Sequence, residues 1–333
     1  MPDIWTHLIT GDRIATAVSH PEWSAMIHEH RRLFDFGCQG PDFFLYYNFW
    51  PWCKDKRGNA LGDMIHHVHC GAFFEQVFLY VASLSGSSDF DPAASYGLGL
   101  LCHWALDRAT HPYIHYIAGS YTPGDPNVAH LAGNHKRIEA IIDTILVKDY
   151  WKISTSHVPA NQRFDLGREL PPYIAALYRH VVPRVYPEQW QQQAEGFIEK
   201  SYRDMMSACR VLFDPTGIKK KVVTLFQRLT GSRESLTSYF YPEHVNASVD
   251  YLNHQHRPWC HPVDCAEISQ ASFNELMDQA VTDGIAMVNS TIAYLTGQID
   301  LSTWRRAVGN LSFSTGRDCD LPLDLKYAQP ILE

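Results

Sequence analysis

Residues 96–119 read YGLGLLCHWALDRATHPYIHYIAG, an apolar stretch at helical spacing in which His103, Asp107 and His111 follow one another four residues apart. On a helix, side chains four apart are rotated by about 40°, so the three lie along one stripe over two turns. A carboxylate and two imidazoles buried in an apolar helix require a compensating charge, because an unpaired buried ion is costly. A metal ion supplies it. The alternative, polar groups hydrogen-bonded inside a helical core, suits a lone His or Asp better than three in register.

Other segments add residues of the same chemistry. His7 follows Ile4-Trp5-Thr6, ahead of a helix expected from about 11 to 32. Asp42 sits in the Gly40-Pro41-Asp42 turn, where Gly and Pro fix an acidic side chain at a set angle; it is a candidate ligand or base, with an Asx-turn or N-cap as the plainer role. The aromatic run 43–52 either packs in the core or lines an apolar pocket. A helix expected over 62–84 carries His66, His67 and His69 in its first turns, of which one or two can face Asp107, because neighbouring helical residues diverge by about 100°. His66 is the preferred ligand and His67 the second. After a loop over 120–134, a further helix carries His135 and Glu139 four apart, again on one face. A loop over 85–95 leads into the central helix.

Eight ligands of mixed nitrogen and oxygen type exceed the needs of one tetrahedral ion. They suit two or three divalent ions, with Asp107 as the natural bridge. The wider sequence fits this reading. Sixteen of the eighteen His crowd into the first 140 positions and the stretch 244–261. The eight Cys form no CxxC pair and are read as reduced and mostly buried. A net charge of −8 argues against stable binding of duplex nucleic acid through a basic surface. No uncharged apolar run approaches a membrane span and no signal segment is read, so the expectation is a soluble, cytoplasmic protein without a transmembrane segment.

The pattern Thr6-His7, Gly40-Pro41-Asp42, His66-His67, HWALDRATHPYIH and Asn134-His135 with Glu139 resembles the zinc-dependent phospholipase C-like family; the later YLNHQHRPWCHPV, residues 251–263, resembles the C-terminal part of its intracellular bacterial members. The resemblance implies an all-α fold and a cluster of two or three Zn2+ ions. It places Asp42, one of His66 and His67, His103 and Asp107 on one zinc, His111, His135 and Glu139 on a second, and His7 with Asp107 on a third. In secreted members the third ion also takes the amine of a processed N-terminal Trp; here four residues precede Trp5, so water or a backbone group completes that site.

The expected architecture is a single all-α domain, with 1–155 as a metal-binding helical core and 156–333 as further helices packed on it. Helical spacing is read over 171–182, 188–214, 217–228 and 269–298. Lys219 to Lys221 are read as a solvated helix face, and His254, His256 and His261 as belonging to a packed loop that borders the site. The expected activity is phosphoester hydrolysis, most naturally of a diester, by a metal-bridging hydroxide that Asp42 orients or deprotonates. The substrate is a small-molecule or lipid phosphoester. Two alternatives stand beside it: a nucleotide or single-strand nucleic-acid phosphodiesterase, and a non-catalytic helical module with structural zinc.

Overall fold

The computed structural model describes residues 4–119, 131, 133–230 and 236–332. Among these the fold is all-α, with a single two-stranded ladder. The chain begins with helices α1 (Ile4–Thr16), α2 (Pro21–Glu29) and α3 (Arg31–Gly37). The single helix expected over 11–32 is thereby corrected: Pro21, with its preset φ and no amide, starts a new helix. His7 consequently lies inside α1.

A 3-10 turn over Gly40–Tyr46 carries Asp42. The stretch expected as one helix over 62–84 is split into α4 (Arg57–His67) and α5 (Cys70–Ser83), because Val68 is extended and His69 takes a left-handed conformation between them. The central helix, α6 (Phe90–Ala118), starts earlier than its apolar run and shortens the preceding loop, with Pro92 accommodated in the first turn. The loop expected over 120–134 lies largely outside the described residues, and α7 (Asn134–Trp151) follows it.

The second half adds α8 (Pro172–Val185), α9 (Pro187–Gln191), α10 (Phe197–Leu212), α11 (Ile218–Thr230), α12 (Phe273–Leu295) and α13 (Leu301–Val308). The expected helix over 188–214 is interrupted between α9 and α10, where Gly196 has a positive φ. In the segment read as a packed loop, β1 (Trp259–Cys260) pairs antiparallel with β2 (Ile268–Ser269). A capping box of Ser272 and Glu275 starts α12. The cysteines are free thiols, with Cys38, Cys70, Cys102 and Cys260 buried and Cys265 exposed.

Almost every side chain of α6 is buried, and the helix packs against α1, α3, α5, α7 and α12. Against α3 the approach is backbone to backbone. A Cβ at Gly37 would lie 2.2 Å from the Tyr96 carbonyl, and one at Gly99 would lie 2.2 Å from that of Phe34. Glycine at both positions lets the backbones touch, which brings the end of α3 against His103. Helix α1 is fixed from the other side, since the Asp143 carboxylate of α7 accepts the amides of Trp5 and Thr6, both at 2.8 Å. Those first-turn amides have no acceptor within their own helix, so α7 caps α1 and sets the direction of His7.

After α13, residues 309–319 return across α6 as an irregular strap. The Trp104 indole donates to the Leu311 carbonyl at 2.8 Å, and the Phe313 amide donates to the His66 carbonyl at 3.0 Å. Among the described residues no helix is long and apolar enough to cross a membrane.

Candidate metal centre

Helices α1, α4, α6 and α7 and the turn carrying Asp42 converge on one buried space. Eight of the sequence candidates meet there: His7, Asp42, His66, His103, Asp107, His111, His135 and Glu139. Their ligand atoms form three groups, two of which share His103. One is His7, His103 and Asp107; the second is Asp42, His66 and His103; the third is His111, His135 and Glu139. Asp107 stands between them. Its Oδ2 lies 3.0 Å from His103 Nε2 and 3.9 Å from His66 Nε2, while Oδ1 lies 3.3 Å from His7 Nε2 and 3.8 Å from His111 Nε2. The two oxygens thus face different imidazole sets, as a bridging carboxylate requires.

The outer nitrogens explain how the rings are aimed. His66 Nδ1 meets the Gly62 carbonyl at 2.6 Å, His103 Nδ1 that of Cys38 at 3.1 Å, and His111 Nδ1 that of Phe313 at 2.9 Å. A carbonyl only accepts, so each Nδ1 carries a hydrogen, and in the neutral ring Nε2 presents its lone pair inward. At the centre, His7 Nε2, His66 Nε2, His103 Nε2, His111 Nε2, Asp42 Oδ1 and both Asp107 oxygens are buried and lack a hydrogen-bond partner of acceptable geometry. Buried polar atoms without partners are rare and costly. Convergent lone pairs on nitrogen and oxygen are the donor set of a borderline divalent cation, and the group can hold a metal ion.

Charge in the cluster follows from burial and proximity. Burial pushes His7 down to about 4, helped by the neighbouring His103 ring stacked 4.0 Å away. Burial likewise holds His111 and His135 well below the usual imidazole range. His103 shows the opposite balance: burial would lower it, but Asp107 and Asp42 raise it. Burial opposes ionisation of Asp107, yet His103, His111 and His7 hold its carboxyl well below the usual range. Without a metal, a proton on His103 offsets part of the Asp107 charge; a cation in the same place offsets more.

His67 is not brought into this space. Its Nδ1 bonds the Asp63 carbonyl at 2.7 Å on the opposite side of α4, and its side chain is 38% exposed. The 100° step between neighbours turns it outward when His66 points in. His254, His256 and His261 also stay outside: His261 bonds the Thr315 carbonyl and His256 that of Gln270, and neither borders the cavities beside the cluster. Two residues with a part in the site were not singled out by the sequence. His115 continues the four-residue repeat of α6, with its ring centre 4.7 Å from that of His135, its Nε2 buried without a partner, and its pKa pushed down by burial to about 3. Asp143, four residues after Glu139, is the cap of α1.

Asp42, His7, His135 and Glu139 border a cavity of 270 Å³ that opens on the cluster, walled by Tyr46, Phe49 and Tyr239. The aromatic run is therefore divided. Phe43 and Phe44 are core residues, Tyr46 and Phe49 face the cavity, and Trp50 stacks on the exposed Trp52. A second cavity of 770 Å³ adjoins the first, sharing Ile4, Tyr46, Lys136 and Tyr239, and extends between Lys220 and Lys221. Lys220 and Lys221 thus border a cavity instead of forming only a solvated face. Compared with family models, curated proteins and solved structures, the chain gives no match, and none of these comparisons identifies a phospholipase C-like family.

Proposed function

We propose that this protein is a metal-dependent phosphodiesterase of the phospholipase C-like kind, using two or three Zn2+ ions. The observation that carries the reading is the set of inward-facing imidazole and carboxylate atoms without partners, of which those of His7 and Asp42 belong to residues that line a cavity. One ion would be held through Asp42, His66, His103 and Asp107, another through His111, His135 and Glu139, and His7 with Asp107 would serve a third. Bound divalent ions would supply Lewis acidity toward phosphoryl oxygen and lower the pKa of water near neutrality.

The chain's own groups fit the rest of the task. Asp42 is the carboxylate of its group that reaches the cavity, 3.0 Å from His66 Nε2, and would orient an incoming water and accept its proton. Lys136 borders both cavities and sets a positive charge beside the anionic oxygens of a phosphodiester. Tyr46, Phe49 and Tyr239 form an apolar wall for the substituent that the phosphate carries. A closed structural site uses four ligands and leaves no exchangeable position. Eight candidate ligands, four of them (His7, Asp42, His135 and Glu139) lining a cavity, support the catalytic reading over a structural zinc.

The test is metal content by elemental analysis together with turnover of bis-p-nitrophenyl phosphate, before and after chelation. Two or three zincs per chain are expected, and turnover should fall by about 10³-fold on chelation and in Asp107→Asn. One ion or none, with turnover unaffected by chelation, would remove the proposal.

A further inference from the structure

Among the described residues, helix α11 leaves the most large apolar side chains in water. Ile218, Val222, Leu225 and Leu229 are between 59% and 78% exposed, and they recur at the spacing of one helical face. At about 100° per residue these four lie within an arc of about 60°, with Lys219 about 90° to one side and Lys221 about 70° to the other. Lys221 is exposed, and the Lys219 ammonium reaches the Val211 and Phe213 carbonyls at the end of α10. Lys220, on the far side, is half-buried and turned toward the 770 Å³ cavity. An apolar stripe edged by cationic stems is the arrangement of a helix that lies in a bilayer interface, where lysine stems follow the apolar surface and ammonium groups stay with the headgroups.

We infer that α11 is a docking helix for an anionic lipid surface. A second copy of the chain fits less well. The stripe is about 20 Å long and about 10 Å wide, on the order of 200 Å², whereas a stable pair buries about 800 Å² on each side. Facing copies would also oppose their flanking lysines. A lipid surface has no such area requirement and presents the complementary charge. The position of the helix adds a second argument. Leu225 belongs both to the exposed stripe and to the wall of the 770 Å³ cavity, so the stripe and the cavity meet at one edge, and the cavity continues to the cluster. A helix lying flat on the surface would set that opening against the headgroups; this consequence, that phosphoester substrate arrives from the bilayer, rests on the phosphodiesterase reading, while docking itself does not.

Co-sedimentation of the full chain with phosphatidylcholine vesicles, with and without phosphatidylserine, tests the inference. Binding to the mixed vesicles is expected, weakened by salt and by omission of phosphatidylserine. The double variant Val222→Glu/Leu229→Glu should lose about tenfold or more of that binding while keeping its far-UV circular dichroism and metal content. Lys221→Glu should weaken binding to mixed vesicles and leave binding to phosphatidylcholine alone unchanged. Absence of vesicle binding by the wild-type chain, or equal binding by the double variant, would overturn docking. So would light scattering showing a dimer that the double variant dissolves, without vesicle binding by either. Turnover of the soluble diester by the wild-type chain separates the two claims: vesicle binding without turnover keeps docking and removes the phosphodiesterase, and turnover without binding does the reverse.

Discussion

Asp107 and Asp143 are both completely buried carboxylates facing the same bundle, and they are treated in opposite ways. Asp143 receives hydrogens from the Trp5 and Thr6 amides, the Thr6 hydroxyl and, at 3.1 Å, the Tyr241 hydroxyl. Its charge is met by donors that the fold brings to it, and the result is a cap that holds two helices together. Asp107 faces four imidazole nitrogens, three of them on rings whose hydrogens point outward to carbonyls. A buried carboxylate supplied with donors reads as structure, and one surrounded by lone pairs reads as a place for a cation.

The largest expected effect separates the two directly. Asp107→Asn should lose the ions that Asp107 would hold and about 10³-fold of turnover, while changing the melting temperature of the chelated protein little. Asp143→Asn should cost about 3 kcal/mol, with or without metal, by weakening charge-assisted bonds, yet still bind metal at saturation. Thermal melts and elemental analysis on both variants check this, and matching behaviour would break the distinction. Next in size is a pair of neighbours. His66→Ala should lower metal affinity by more than about 100-fold, whereas His67→Ala should stay within about twofold, as read by competition with a chromogenic chelator.

A smaller change tests how closely the rings are held. Gly40 has φ +60°, and a Cβ there would lie 2.2 Å from the His103 ring. Gly40→Ala should displace that imidazole and lower metal affinity by about 10- to 100-fold, with Asp143 and the α1 cap untouched. Acid should act most gently. His7, with a folded value of about 4 against 6.5 unfolded, takes up its proton first in the unfolded chain. Its contribution to stability is complete above 6.5 and is lost as pH falls toward 4. His111 and His135 act in the same direction, and His103, whose value is raised, acts in the opposite one. Differential scanning calorimetry of the chelated protein should therefore show earlier melting at about pH 5 than at about pH 7, and added zinc should shift that fall to lower pH.

Local periodicity made several helices and part of the cluster legible in the sequence, while the all-α class and the remaining members came from the resemblance. His103, Asp107 and His111 share a stripe because the helical turn puts them there, and His135 with Glu139 repeats the device. What spacing could not convey was direction and distance. The split between α4 and α5 depends on a left-handed His69, a conformation with no strong signature in a non-glycine residue, and it decides that His66 faces inward at the end of a helix. Asp143 looked like an ordinary helical acid because its partners lie 137 and 138 residues away. His115 was legible in principle, as the next step of the repeat that begins at His103. The short α13 was not foreseen, because eight residues supply little periodicity.

The strap also orders events in time. Phe313 gives its carbonyl to His111 and its amide to the carbonyl of His66, although these partners were made some two hundred or more residues earlier. On a ribosome, α1, α4, α6 and α7 all emerge before the group that aims the His111 imidazole and ties down the backbone at His66. A nascent chain stopped before residue 313 holds all eight ligands without their final alignment, so tight metal capture would report that synthesis has passed that point.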